Sequence, residues 1–223
     1  MTRSTTKPPG IRARRRVRKQ ARILAAARAL VRRHGHERLS LRHVARRAGM
    51  SAAGMYEFFD NREHLVDVLA GEANEALTFA LRSAAQGVPD PIERLVRLGL
   101  AYIRFAQERP ADFLLLFGRG STRRSLTEDV PADSEFGMIR GAMVDVLGAG
   151  RPDWAGPQFL EALAYGFWSS IHGMAMLQLT HLAGFRADFA TAHRFLLEST
   201  ARLWQSADWT RAVGSAADRT RVL

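Results

Sequence analysis

Two short apolar patterns of helical period, set on either side of a single glycine, constrain this chain more than any other feature. Leu41, Val44, Ala45 and Ala48 recur on one helical face, and Arg42, His43, Arg46 and Arg47 occupy the other. Ser40 stands where a side-chain oxygen caps that helix. Gly49 then supplies a backbone angle that a residue with a Cβ resists, and small Ala45 lets the flanking helices approach. Ser51 caps a further helix, predicted over Ala52 to Phe59 and ended by the turn pair Asp60-Asn61. Upstream, Ile23, Leu24, Ala27, Leu30 and Val31 share a face of a first helix, which His34-Gly35 stops. Two short helices joined by a Gly-containing turn form a helix-turn-helix, whose second helix lies in the DNA major groove.

Charge points the same way. Through Leu65 there are 17 Lys and Arg against 4 Asp and Glu; the remaining 158 residues hold 16 against 18. The whole excess of the +11 chain therefore sits on the helix-turn-helix end. Such asymmetry is the electrostatic footprint of a nucleic-acid-binding module, because each neutralised phosphate releases condensed counterions. Residues 1–18 read as a basic flexible arm, polar through Gly10 and then dense in Arg12, Arg14, Arg15, Arg16 and Arg18. Such an arm either tracks phosphates, enters a minor groove or only solubilises the chain.

Taken in order, with Tyr56 and Phe59 closing the third helix and Arg62 and Leu65 starting a fourth, Ile23 to Leu65 resembles the TetR family of one-component transcriptional regulators. The family usually shows an aromatic residue or His two positions after its Tyr, then Phe, then Lys three positions on. Here those places hold Phe58, Phe59 and Arg62. Phe58 cannot hydrogen-bond a phosphate; Arg62 keeps the positive charge. The resemblance implies an all-α fold, with an N-terminal three-helix DNA-binding domain (19–65) and a C-terminal helical domain for effector binding and dimerisation (66–206), ahead of a polar tail (207–223).

Within the recognition helix, Ser51, Ala52, Ala53, Gly54 and Met55 fall where base edges are read. Ser51 can bond a phosphate or a base, Ala and Met can touch thymine methyls, and Gly54 permits close backbone approach. No Arg, Asn or Gln stands there for bidentate base contacts, so specificity leans on Arg42, His43, Arg46, the arm and DNA shape. Tyr56 is placed for a phosphate. Met55 and Phe59 have packing inside the head as their other role. The expected DNA-contacting set is thus Arg15, Arg16, Ser40, Arg42, His43, Arg46, Ser51, Ala52, Ala53, Gly54, Met55, Tyr56 and Arg62.

Asp60 and Glu63 have the spacing of a capping box for the fourth helix, which runs to about Ala85. Asp90, Pro91 and Glu93 open a fifth, ended at Arg109-Pro110. A short apolar helix, Ala111 to Phe117, precedes the polar loop 118–133, which lacks the phosphate-cradling pattern of a nucleotide-binding loop. Phe136 to Leu147 is a further helix, broken by 148–156, and Pro157 starts the longest apolar one, to about Leu182. The last spans Phe189 to Leu203. Pro110 to Phe117, PADFLLLF, and the trio Trp168, His172 and Gly173 resemble the TetR members whose C-terminal domain carries a Trp-His-Gly motif.

Trp168 and His172, four apart, share a helix face that Tyr165 and Met176 extend. That face is either a wall of an effector pocket or a core histidine packed on a Trp. With Tyr102, Phe105, Phe113, Phe117, Trp168, His172 and Met176 as lining, the effector would be a small apolar molecule. In the family the last two long helices pair with those of a second subunit. Here that assigns Phe159, Leu163, Gly166, Ser170, Phe195, Leu196, Ser199 and Leu203 to a homodimer interface, with Gly166, Ser169, Ser170 and Gly173 permitting close approach.

The absence of Cys excludes a disulfide framework, a thiol nucleophile and Cys-based zinc sites, and fits a reducing cytoplasm. The most apolar stretch, Phe159 to Leu182, is interrupted by Glu161, His172 and His181, so no membrane span is expected. His172 and His181 fall on different faces, which disfavours a metal site, and no catalytic arrangement or cofactor fingerprint is visible. The sequence therefore reads as a cytoplasmic regulator of transcription binding double-stranded DNA as a homodimer, most simply a repressor released from a palindromic operator by an apolar ligand. The alternative is a dimeric DNA-binding protein, architectural or activating, that takes no ligand.

Overall fold

The computed structural model describes residues 10–118, 131–148 and 157–206, and among them every regular element is helical. These are α1 (Ile11–His34), α2 (Leu41–Ala48), α3 (Ala52–Tyr56), α4 (Arg62–Ala85), α5 (Pro91–Glu108), α6 (Pro110–Phe117), α7 (Glu135–Leu147), α8 (Pro157–Leu179) and α9 (Phe189–Gln205). Most of the loops 118–133 and 148–156 and the tail 207–223 lie outside the described residues.

The chain forms two compact units. The first, the head, closes around Ile23, Leu24, Ala27 and Val31 of α1, Val44, Ala45 and Ala48 of α2, Met55, Phe59, and Leu65, Val66 and Leu69 of α4. Leu115 of α6 belongs to the same core, with Ala111 packed against it. A segment that the sequence assigns to the body by position is thus part of the head, because its apolar side chains complete that core.

The expected flexible arm is helical from Ile11 onward. No Pro or Gly interrupts Ile11 to His34, and its Arg, Ala, Lys and Gln are good helix formers, so α1 continues upstream of its buried stripe. The helix stops at Gly35, whose φ of 77° favours glycine and whose N–H bonds the Val31 carbonyl at 2.8 Å.

Predicted helix boundaries move, α8 ending at Leu179 rather than about Leu182 and α9 at Gln205 rather than Leu203. The third helix has five residues, not eight: the amides of Phe58 and Phe59 both turn onto the Met55 carbonyl, at 2.9 and 3.0 Å, which swings Phe59 into the core. The cap of α4 is Asn61 rather than Asp60, since Asn61 Oδ1 accepts the His64 amide at 2.8 Å while Asp60 pairs with the His64 ring.

In the second unit α5 is central, packed by α7, α8 and α9. Leu95, Val96, Leu98, Tyr102, Ile103, Phe105 and Ala106 are buried along it. Gly99 makes that closeness possible, because a Cβ there would lie 2.8 Å from Leu197 Cδ1 on α9 and 3.2 Å from Ile171 Cγ2 on α8. Asp90 caps α5 as expected, accepting the amides of Ile92 and Glu93 at 3.3 and 3.2 Å. The Glu93 carboxylate does not turn back to complete the cap. It bonds Arg97 at 2.7 Å and Arg194 of α9 at 3.0 Å, two cations that hold it below the usual carboxylate range.

Candidate nucleic-acid interface

The helix-turn-helix is built by local chemistry. Ser40 accepts the His43 amide at 3.3 Å and Ser51 accepts the Gly54 amide at 3.0 Å, so each short helix begins on a hydroxyl cap. Between them Gly49 takes the left-handed conformation, φ 64° and ψ 43°, and its amide returns to the end of α2. The guanidinium of Arg22 on α1 donates to the Ala48 carbonyl, closing the C-terminus of α2 from outside. Arg22 is a positioning residue that the sequence does not announce, since nothing in its spacing separates it from the other arginines of α1.

The caps occupy the two serines locally, while the solvent face of the motif remains open. Arg42, His43, Arg46 and Arg47 of α2 are exposed, as are Ser51, Ala52, Ala53 and Tyr56 of α3, the last with 61% of its surface accessible. Gly54 is half-buried, with the Ser51 hydroxyl 3.2 Å from where its Cβ would stand. Apart from Tyr56 these residues are small or basic, and all but Gly54 are open to solvent on the two helices of the motif.

Two of the expected DNA contacts are placed elsewhere. Met55 is fully buried in the head core, so it cannot meet a thymine methyl; at this point of the short helix its side chain faces Phe59 and α4, not solvent. Arg62 directs its guanidinium inward. Its Nη2 donates to the His36 carbonyl at 2.8 Å, its Nε to the Leu39 carbonyl at 3.0 Å, and its Nη1 to Glu63 at 3.0 Å. It ties the α1–α2 connection to the start of α4. Arg16, by contrast, reaches the end of the recognition helix, donating to the Glu57 carbonyl at 3.2 Å with its guanidinium 5.0 Å from the Phe58 ring centre. Arg15 is exposed beside it on α1.

Comparison with known proteins bears on both units. Residues 23–69 match the family of bacterial regulatory proteins, tetR family, and residues 95–204 match the Tetracyclin repressor-like, C-terminal domain. The chain belongs to the TetR family. Its fold is similar to that of a tetR-family transcriptional regulator from Streptomyces coelicolor, at 19% identity over 92% of this chain and 89% of that one, TM-score 0.60. It is similar also to the TetR family transcriptional regulator PfmR from Thermus thermophilus, at 20% identity, 82% and 97% coverage and TM-score 0.54. A third similar structure is the fatty acid degradation regulator FadR from Bacillus halodurans, at 14% identity, 90% and 98% coverage and TM-score 0.57. No protein of curated function matches the chain.

As a TetR regulator the protein is a DNA-binding transcription factor and not an enzyme. No described helix is long and apolar enough to cross a membrane. In the TetR C-terminal unit the structure joins three of the seven expected effector residues. The Tyr102 hydroxyl lies 2.9 Å from His172 Nδ1, and the Trp168 and His172 rings are 5.8 Å apart. Burial raises the Tyr102 hydroxyl, while a hydrogen bond with Trp168 acts in the opposite direction. In the Nε2–H tautomer of His172, Nδ1 accepts the Tyr102 hydroxyl hydrogen. Burial also lowers the His172 imidazole, favouring its neutral form.

Phe105 stands apart from this trio, lining a cleft of about 340 Å³ with Ala101, Arg104 and Glu108 of α5 and Ala80, Ser83 and Ala84 of α4. Met176 is half-buried one turn beyond His172. Phe113 and Phe117 meet at 4.8 Å on α6, their rings tilted by 52°, and both belong to the head unit. Helical spacing cannot reveal that, because it fixes a face and not the body the face joins. Of the expected interface residues, Phe159 and Leu163 are half-buried, whereas Gly166, Ser170, Phe195, Leu196, Ser199 and Leu203 are exposed on α8 and α9.

Proposed function

We propose that the protein is a repressor whose homodimer holds a palindromic operator and leaves it when a small apolar molecule occupies the C-terminal unit. The DNA-reading residues are Ser51, Ala52, Ala53 and Gly54 toward the bases, with Ser40, Arg42, His43, Arg46 and Tyr56 toward the backbone. The observation that carries this reading is the open face of the helix-turn-helix, where small residues of α3 stand among exposed Arg42, His43 and Arg46.

Dimerisation is supported by the exposed apolar residues of α8 and α9. Phe195 is 68% accessible, and a Cβ at Gly166 or Gly173 would meet nothing within 4 Å in a single chain, so a second helix could approach there. Two-fold symmetry suits a motif that reads half-sites roughly 34 Å apart. The Tyr102–Trp168–His172 group supports the effector site: it is an apolar wall with convergent polar atoms. Release requires that the effector bind more tightly to the arrangement that fits the operator poorly, since equal affinity for both arrangements shifts nothing.

Selection of bound sequences from a random duplex pool at near-physiological salt tests the reading. An enriched palindrome is expected, followed by loss of binding when an apolar ligand that raises the melting temperature is added. Binding without enrichment, falling only with salt, would remove the sequence-specific reading; an operator complex indifferent to every stabilising ligand would leave the ligand-independent regulator instead.

A further inference from the structure

Between Ile11 and Arg22, α1 carries Arg12, Arg14, Arg15, Arg16, Arg18, Lys19 and Arg22 and no acidic residue. Four pairs of these cations stand four residues apart, Arg12 with Arg16, Arg14 with Arg18, Arg15 with Lys19 and Arg18 with Arg22, and like charges at that spacing repel along a helix. Two arginines also lie in the first turn, where the helix dipole disfavours positive charge. Upstream of Ile23 nothing on this helix is buried in the head core. A segment so arranged gains from an anion laid along it.

Its direction is fixed at two places. Arg16 bonds the Glu57 carbonyl and stacks on Phe58, at the end of the recognition helix. Arg22 bonds the Ala48 carbonyl at the turn and lines a cleft of about 590 Å³ with Arg46, Arg47 and Gly49. Arg12, Arg15, Lys19 and Arg22 follow one another at helical spacing and make a stripe that runs into that basic cleft, with Arg18 at its edge, four residues before Arg22.

We propose that this stripe is a rigid phosphate-binding rail, held to the recognition helix by the Arg16–Phe58 stack, that grips the DNA backbone beside the groove the motif reads. Phe58 is thereby a positioning residue: unable to bond a phosphate itself, it seats the guanidinium that can. The inference rests on the DNA-binding reading given above and extends it to residues outside the helix-turn-helix.

The test is fluorescence anisotropy of the full chain with a labelled random-sequence duplex of roughly 30 base pairs, titrated from about 50 to 200 mM salt. Arg15→Ala/Lys19→Ala should make the slope of log affinity against log salt shallower by about 1.8, one phosphate contact being about 0.9. Arg32→Ala/Arg186→Ala removes equal charge from exposed positions outside Ile11–Arg22 and should leave the slope within about 0.5 of the parent. Phe58→Leu keeps an apolar side chain against the head and should lose about 0.9 through Arg16. Far-ultraviolet melting of each variant checks that the head is folded. Equal slopes for the two double variants would overturn the rail, and an unchanged slope in Phe58→Leu would overturn the seating of Arg16. If the parent chain bound no duplex at all, the DNA-binding reading itself would fall, and the rail with it.

Discussion

Arg62 Nη2 donates to the His36 carbonyl at 2.8 Å, and the same guanidinium reaches Leu39 through Nε at 3.0 Å. A cation at this place in the sequence suggests a phosphate contact, yet here it bonds backbone carbonyls of the α1–α2 connection, that of His36 shared with the Leu39 amide at 3.1 Å. Arg62→Ala should therefore cost about 1–3 kcal/mol in urea unfolding, as a charged donor is removed from partly buried acceptors. Arg62→Lys should recover only part of it, since an ammonium cannot span carbonyls that the planar fork reaches together. The salt dependence of DNA binding should stay that of the parent. A steady fold with a shallower salt slope would return Arg62 to the DNA surface.

Neighbouring positions of α3 should separate stability from recognition. Met55 is fully buried, so Met55→Ala should destabilise the head by about 2–5 kcal/mol. Ala53 is exposed, and Ala53→Arg should change the preference among sequences with little change in melting, by offering a bidentate donor to guanine. Tyr56→Phe should weaken operator and random DNA alike if its hydroxyl meets a phosphate. Competition binding with both duplexes, beside thermal melts, reads all three. Equal effects of Ala53→Arg and Tyr56→Phe on the two duplexes would sink the orientation assigned to α3.

The head was largely legible in the residues because its signals are local. Ser40, Gly49 and Ser51 do what a cap, a left-handed turn and a cap must do wherever they occur in that order. Met55 and Arg62 were not legible, for different reasons. A five-residue helix is too short for periodicity to tell its buried side from its exposed one, and a long cation has enough reach to turn inward. In the body, Trp168 and His172 announced each other at four residues, but their partner Tyr102 lies 70 positions away on another helix. Phe113 and Phe117 belong to the head unit, a matter of tertiary packing that no local spacing encodes.

Phe195, Leu196 and Leu203 of α9 are exposed while Leu197 and Ala201 on the opposite side are buried against the unit. A helix that is apolar on both sides needs a second partner. Phe195→Asp places a charge in the middle of the expected interface, where it would be buried without a partner. The parent should elute at about twice the 24.8 kDa chain mass in light-scattering chromatography, and the variant at that mass. It should also lose affinity for a two-half-site operator while keeping its weak binding to random duplex. A parent that is monomeric at micromolar concentration would reject the interface outright.

Acid should loosen the C-terminal unit before it affects the carboxylates. Burial lowers both His172 and His193 below the usual imidazole value of 6.5. The unfolded chain, with ordinary imidazoles, then binds more protons than the native one as pH falls through 6.5, so native stability decreases in that direction and is fully present above it. The shifted carboxylates Glu63, Glu93 and Asp188 lie below their ordinary values and contribute only in the acid range under about 4.5. Between about pH 7.5 and 5.5 the melting temperature should thus drop through the histidines. Replacing His172 by Gln in a chain that also carries His193→Asn should flatten that drop, whatever the variants do to the melting temperature at pH 8. Tyr102→Phe should make it shallower in part, because the phenol that approaches Nδ1 at 2.9 Å favours the neutral ring over the protonated one, and its loss lets the native pKa of His172 rise toward the unfolded value. A double variant that still lost stability as steeply as the parent would assign the titration to groups outside this unit's core.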